Sequence, residues 1–404
     1  MNTNDTDVDL AKTLMDGYAE ATGIVGAASP RRYLWTDAFG VCTLLGLATK
    51  RGEEEYGSRA RILIDQVHGI LGRHREDDAR SGWISGLSEE EGKRHPTRGG
   101  LRIGKGLPER RPGEPFEEGL EWDRDGQYYH YLTRWMHALH CAWARLREET
   151  YLRWARELAE TAHRGFTRDI PGMGRRMVWK MSIDLSRPLV SSMGQHDPLD
   201  GLVTYLELKT ASGTEESASE TEGARPREVG TNLRPFIIEA ERMCVDAAWA
   251  TPDPLGIGGL LTDAGRLGSM IAGRNLGEAS LMEIPPRRFF GRLLEEGARS
   301  LEVFRRSFSP RAPAERRLAF RELGLSIGLH ALERAVGLSA GDLEIGRARA
   351  IVERHSDLGR EIERFWSQPA SRRAGTWRAH EDINTVMLAT SLAPEGYVDL
   401  LPGR

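Results

Sequence analysis

The chain has 404 residues, 39% hydrophobic and 29% charged, with a formal net charge of −4. Such a length and balance belong to a globular protein with a substantial core and exclude a disordered chain. The lack of a basic surplus argues against nucleic acid as a partner. Cys42, Cys141 and Cys244 are odd in number and far apart, in apolar helical contexts. Free thiols in a reducing compartment fit that pattern better than a disulfide scaffold. The first residues, Met1-Asn2-Thr3-Asn4-Asp5-Thr6-Asp7, carry no basic or apolar leader, and no run approaches about 18 apolar residues. The expectation is a cytoplasmic protein that does not engage a membrane.

Apolar residues recur at three- and four-residue spacing in about twelve segments, so the fold class expected is all-α. The segments are 8–26, 33–50, 55–73, 124–147, 149–167, 197–210, 234–250, 257–274, 286–306, 313–337, 345–367 and 379–393. Tyr33-Leu34-Trp35-Thr36-Asp37 opens the second, with Thr36 as its cap and Asp37 in the first turn. Residues 74–119 then form a Gly/Pro/Arg-rich insertion, ordered by Trp83, Ile84, Leu87, Leu101 and Ile103. Loops of such length are commonly functional. Within it, Gly99 to Gly106 nearly spells a phosphate loop, but Gly106 replaces the magnesium-binding Ser/Thr and no strand precedes it. A lid reading fits better, with Arg98, Arg102 and Lys105 meeting hydroxyls, a carboxylate or a phosphate on a substrate.

Glu121-Trp122-Asp123-Arg124-Asp125-Gly126 opens the segment 124–147. Asp125 suits a cap, but Asp123 cannot cap the same helix. Along that helix His130, His137 and Cys141 share a face, with His140 beside them. That spacing is too wide for a metal, so no metal ligand is assigned and His137 and His140 read as buried histidines. Met177 to Ile183 reads as a short strand. Gln195-His196-Asp197-Pro198 places Asp197 as an N-cap and Pro198 at N1, with Asp200 in the first turn. His196 beside a carboxylate also suits acid–base work. Residues 211–229 are polar and read as a mobile loop. Gly256-Ile257-Gly258-Gly259 would let backbone approach a ligand, and His330 lies near a further helix start. Trp377-Arg378-Ala379-His380-Glu381-Asp382-Ile383-Asn384 opens the last helix, with His380 and Asn384 one turn apart.

Four of the six alternate helices therefore begin with a cluster of acids, histidines or tryptophans. On this alternation the chain resembles the six-hairpin glycosidase-like superfamily, the (α/α)6 barrels. The likeness spans nearly the whole chain as one domain, residues 1–404. Trp377-x-x-His380 is also similar to the C-terminal histidine region of sugar 2-epimerases. The resemblance implies a funnel at one rim and a sugar or glycoside, neutral or anionic, as substrate. It implies a glycoside hydrolase in which one carboxylate protonates the leaving oxygen and another activates water or attacks. Asp37, Asp123, Asp125, Asp197 and Asp382 form the pool for that pair, with His196 or His380 assisting. Trp35, Trp83, Trp122 and Trp179 offer faces to sugar rings, and His130, Gln195 and Asn384 add polar contacts. No cofactor is expected. Two alternatives stand beside this: an epimerase using His380 with His196 or His330, and a non-catalytic barrel that binds a glycan or a protein.

Overall fold

The computed structural model describes residues 3–172, 174–211, 231–273, 276, 282–338 and 343–400. All but the first residue of the polar loop expected at 211–229 lies outside the described residues. The architecture is all-α, and the chain has the six-hairpin (α/α)6 fold. One set of alternate helices comprises α1 (Thr3–Ala21), α3 (Glu54–Leu71), α7 (Glu149–Phe166), α9 (Arg234–Cys244), α11 (Pro286–Ser307) and α13 (Leu343–Ser367). The other comprises α2 (Leu34–Arg51), α6 (Tyr129–Leu146), α8 (Asp197–Thr210), α10 (Pro254–Ala272), α12 (Ala319–Gly337) and α15 (Glu381–Leu392). Short helices α4 (Glu89–Arg94), α5 (Glu118–Glu121) and α14 (Gly375–Arg378) fill connections. Burial separates the two sets. α8 is buried without a break from Asp197 to Leu208, whereas α7 buries a stripe that includes Leu152, Ala155, Leu158 and Ala162. A helix buried all round is interior, and one with a single apolar stripe covers it. Among the described residues, no helix is long and apolar enough to cross a membrane.

Contacts divide the chain into two compact units. The first comprises 1–21, 42–57 and 246–404, and the second 22–41 and 58–245. In the first, α10 and α12 run parallel at very close range. A Cβ on Gly258 would lie 2.1 Å from the Gly324 carbonyl oxygen, and one on Gly265 would lie 2.5 Å from the Ala331 carbonyl. Gly258, one of the glycines expected to admit a ligand, admits a neighbouring helix. α15 joins the same layer, where the fully buried Asn384 accepts from Phe320 N at 2.9 Å and donates to Trp377 O at 2.9 Å. α10 starts sharply because Asp253 accepts from Gly256 N at 3.1 Å with Pro254 at N1.

In the second unit α6 and α8 run parallel, and their pairing carries the chemistry described below. Residues 74–119 are held by their own buried side chains. Trp83 lies under the Arg73 guanidinium at 4.3 Å, and Leu101 and Ile103 are fully buried. A small antiparallel sheet of β1 (Gln127–Tyr128), β4 (Lys180–Met181) and β5 (Pro188–Val190) lies ahead of α6 and α8. A hairpin of β2 (Thr167–Ile170) and β3 (Gly174–Met177) precedes β4 and extends the strand expected at 177–183.

Several expected helix starts move. α6 begins at Tyr129 rather than 124, because residues 127–128 pair with 180–181 in the sheet. Asp125 is therefore no cap. α8 begins at Asp197, so His196 holds the N-cap position and Pro198 follows at N2. α2 begins at Leu34, and Asp37 reaches back to accept from Tyr33 N at 2.8 Å, the role assigned to Thr36. His330 lies well inside α12, not at a helix start.

Candidate active site

Burial and hydrogen bonding sort the candidates. Asp37 is fully buried, bonded to Tyr33 N and paired with Arg32 at 3.4 Å. Asp125 is fully buried and completely engaged: Arg102 Nη1 donates at 2.6 Å, and Gly104 N and Gly126 N each donate at 3.0 Å. Arg102 spends its other donors on Arg73 O and Ile70 O. Arg98 pairs with Glu157 at 3.2 Å, and Trp83 Nε1 donates to Glu89. Such saturated groups hold the chain together. Trp35 is buried against Phe39, with centroids 4.7 Å apart. In the first unit His380 is exposed, with its ring against Phe320, and Asp382 is half-buried. Asn384 is the helix pin already described. His330 is clamped by Glu363 at 2.7 Å and, despite burial, is pushed up to about 9. At neutral pH it is protonated and a poor general base.

A different set converges around the starts of α6 and α8. Aromatic rings form a continuous ladder there. Trp122 meets Trp179 edge-on at 4.9 Å, and Trp179 stacks on Tyr128 at 5.2 Å. Tyr128 stacks on His130 at 5.4 Å, and His130 meets Tyr131 at 4.8 Å. The Tyr131 hydroxyl then bonds the Tyr33 hydroxyl at 2.5 Å. Trp122 remains 48% exposed. With Phe116, Tyr128, Trp179 and Ser192 it lines a cavity of about 220 Å³. The turn carrying Trp122 and Asp123 is fixed from below. Fully buried Lys180 Nζ donates to Glu121 O at 2.7 Å, Glu121 Oε1 at 3.0 Å and Arg124 O at 2.9 Å.

Three titratable groups around this ladder are not consumed by the fold. Lys105 Nζ lies 5.4 Å over the Tyr33 ring, and burial lowers its pKa even though Asp123 and Asp125 oppose the shift. Asp123 is exposed. Asp197 is buried, its Oδ2 without a hydrogen-bond partner among the described residues. Burial first, and then the charge of Asp200, raise its pKa well above the ordinary carboxylate value. Asp200 itself accepts from Arg134 Nη2 at 2.9 Å. His130 Nδ1 lies 3.7 Å from Asp197 Oδ1, and desolvation lowers its pKa to about 4, leaving it neutral. His196 and Gln195 sit at the mouth of α8, half-buried and exposed respectively. Sequence reasoning missed Tyr128, Tyr131, Arg134, Lys180 and Glu207. The signal for Arg134 was present: an arginine one turn after His130, inside an otherwise apolar helix face.

No known family model matches this chain, and no curated protein resembles it in sequence. Solved structures do resemble it in fold. A family 76 glycoside hydrolase (mannosidase) from Bacteroides thetaiotaomicron VPI-5482 superposes with a TM-score of 0.54 at 11% identity, covering 98% of this chain and 99% of that one. An inactive variant of an α-1,6-mannanase from Salegentibacter sp. HEL1_6, in complex with α-1,6-mannotetrose, gives 0.53 at 11% identity over 98% and 99%. A family 76 α-mannanase from Bacteroides thetaiotaomicron gives 0.53 at 8% identity over 98% and 96%. These matches place the chain in the six-hairpin glycosidase-like fold.

Proposed function

We propose that the second unit carries the active site of a glycoside hydrolase, with Asp197 as the proton donor. The observation that carries this reading is the state of Asp197: a buried carboxyl with one oxygen unpartnered among the described residues and a raised pKa, beside a ladder of aromatic faces. A carboxyl that keeps its proton at neutral pH is what protonation of a glycosidic oxygen requires. Asp123 is the second carboxylate, free to activate water or to attack the anomeric carbon. Trp122, Trp179 and Tyr128 supply apolar faces to sugar rings, and neutral His130 supports the carboxyl of Asp197. The solved relatives in fold are glycoside hydrolases, one in complex with an oligosaccharide, which supports a sugar ligand.

Lys105 supports a finer reading, that the sugar carries a carboxylate. Its ammonium is half-buried on the aromatic ladder and close to no carboxylate at ion-pair distance among the described residues. Replacing Lys105 with Met should raise KM for a uronate-bearing oligosaccharide by roughly tenfold, about 1.4 kcal/mol, and leave a neutral analogue unchanged. Equal effects on both would remove the anionic reading. The three buried free thiols support a reducing, cytoplasmic setting.

A further inference from the structure

Helices α6 and α8 are joined by three polar rungs. The first two are single pairs, His130 with Asp197 and Arg134 with Asp200. The third is different in kind, since one carboxylate faces two imidazoles. Glu207 Oε1 lies 2.9 Å from His137 Nδ1 and 2.6 Å from His140 Nδ1. Positions 137 and 140 are three apart, so both rings leave the same face of α6, and Glu207 meets them from α8. All three are buried, at 0%, 3% and 1% exposure. Their ligand atoms lie within 4.8 Å of one another.

As a hydrogen-bonded group this rung is awkward. His140 Nδ1 approaches the shared oxygen closely yet is not aligned to bond it. A divalent cation between the three atoms would satisfy all of them. Zinc takes imidazole nitrogen and carboxylate oxygen at about 2.0–2.2 Å, which at tetrahedral angles sets donors roughly 3.3–3.6 Å apart, so side-chain rotation would have to open the two His–Glu pairs by about half an ångström to one ångström. Two nitrogens and one oxygen suit zinc or a similar borderline ion, whereas calcium and magnesium want oxygen cages.

We infer that His137, His140 and Glu207 form a binding site for one zinc-class divalent cation, tying α6 to α8 two turns below Arg134–Asp200 and so fixing the spacing of the rim residues. The three donors leave a fourth tetrahedral position to water.

The test is the metal content of the full-length protein, as purified and after chelator dialysis followed by titration with Zn²⁺ or Co²⁺. The expected result is about one equivalent bound per chain, visible d–d absorption of four-coordinate Co²⁺, and a raised Tm on Zn²⁺ addition. Glu207→Gln, which keeps the shape and one acceptor for His137, and His140→Asn should each lose that uptake. A folded wild type that takes up neither ion overturns the inference and leaves the rung as a hydrogen-bonded His–Glu–His group. Uptake that persists in both folded variants overturns it equally, because the ion then sits elsewhere. These readouts are independent of any sugar turnover.

Discussion

Residue by residue, the division between saturated and unsaturated carboxylates makes opposite forecasts for neighbouring acids. Asp125 is fully buried with its Arg102 partner, and removing one member of such a pair strands the other charge. Asp125→Asn should cost about 3 kcal/mol of stability, read as a fall in the denaturant midpoint. Asp197 should behave in the opposite way. Its folded pKa lies above the unfolded value, so the folded state holds the extra proton and stability falls as pH rises through that window. Asp197→Asn removes the conflict. The variant should be more stable than wild type at pH 7 while losing activity on the order of 10²–10⁴-fold. An Asn variant that melts lower at pH 7 would contradict the assignment of Asp197 as a buried, neutral acid.

Histidines set the acid limb. His68 receives the Trp135 Nε1 hydrogen bond at 3.1 Å and is pushed down to about 3 by burial, while His130 falls to about 4. Both folded values lie below the unfolded value near 6.5. Stability is then full above pH 6.5 and declines as pH falls toward 4, because the unfolded chain takes up protons that the folded one refuses. Melting curves of wild type and His68→Gln across that range should converge at low pH if His68 contributes as described, and stay parallel if it does not.

Among the elements, the twelve-helix alternation was legible because each long helix carries its own period and most starts carry their own punctuation. The pair Asp197-Pro198 marks its start to within a residue, whereas the helix expected from 257 begins at Pro254. What sequence could not supply was tertiary. The sheet partner that delays α6 to Tyr129 lies some fifty residues downstream, so Asp125 reads as a cap until β4 is seen. Glu207 comes to His137 and His140 only across the α6–α8 contact, so along α6 alone His130, His137 and Cys141 are spaced too widely for a metal and His137 and His140 read as buried histidines. The rim acids were picked by type, and only their hydrogen-bond partners in the fold separate Asp37 and Asp125 from Asp123 and Asp197. The α10–α12 contact gives the test proper to this scale. Gly258→Ala places a methyl on the Gly324 carbonyl, and with backbone on both sides unable to retreat it should destabilise by about 1–3 kcal/mol. Gly337→Ala, a helix residue with open space around it, should show no such loss.

For the molecule as a whole, the fold match is strong in coverage and weak in identity, 98% of the chain at 11%. The (α/α)6 scaffold therefore fixes where helix starts gather, and function must be argued from the residues found there. The ladder from Trp122 to Tyr33, with Lys105, Asp123 and Asp197 along it, belongs to this chain's own sequence. The most direct measurement is reducing-sugar release from a panel of neutral and uronate-bearing oligosaccharides, run in parallel with wild type and Asp197→Asn. The account predicts that wild type cleaves at least one member and that the folded variant is slower by at least about 10²-fold. Cleavage by the variant at the wild-type rate, or a folded wild type that binds a glycan of the panel and cleaves none, would contradict it.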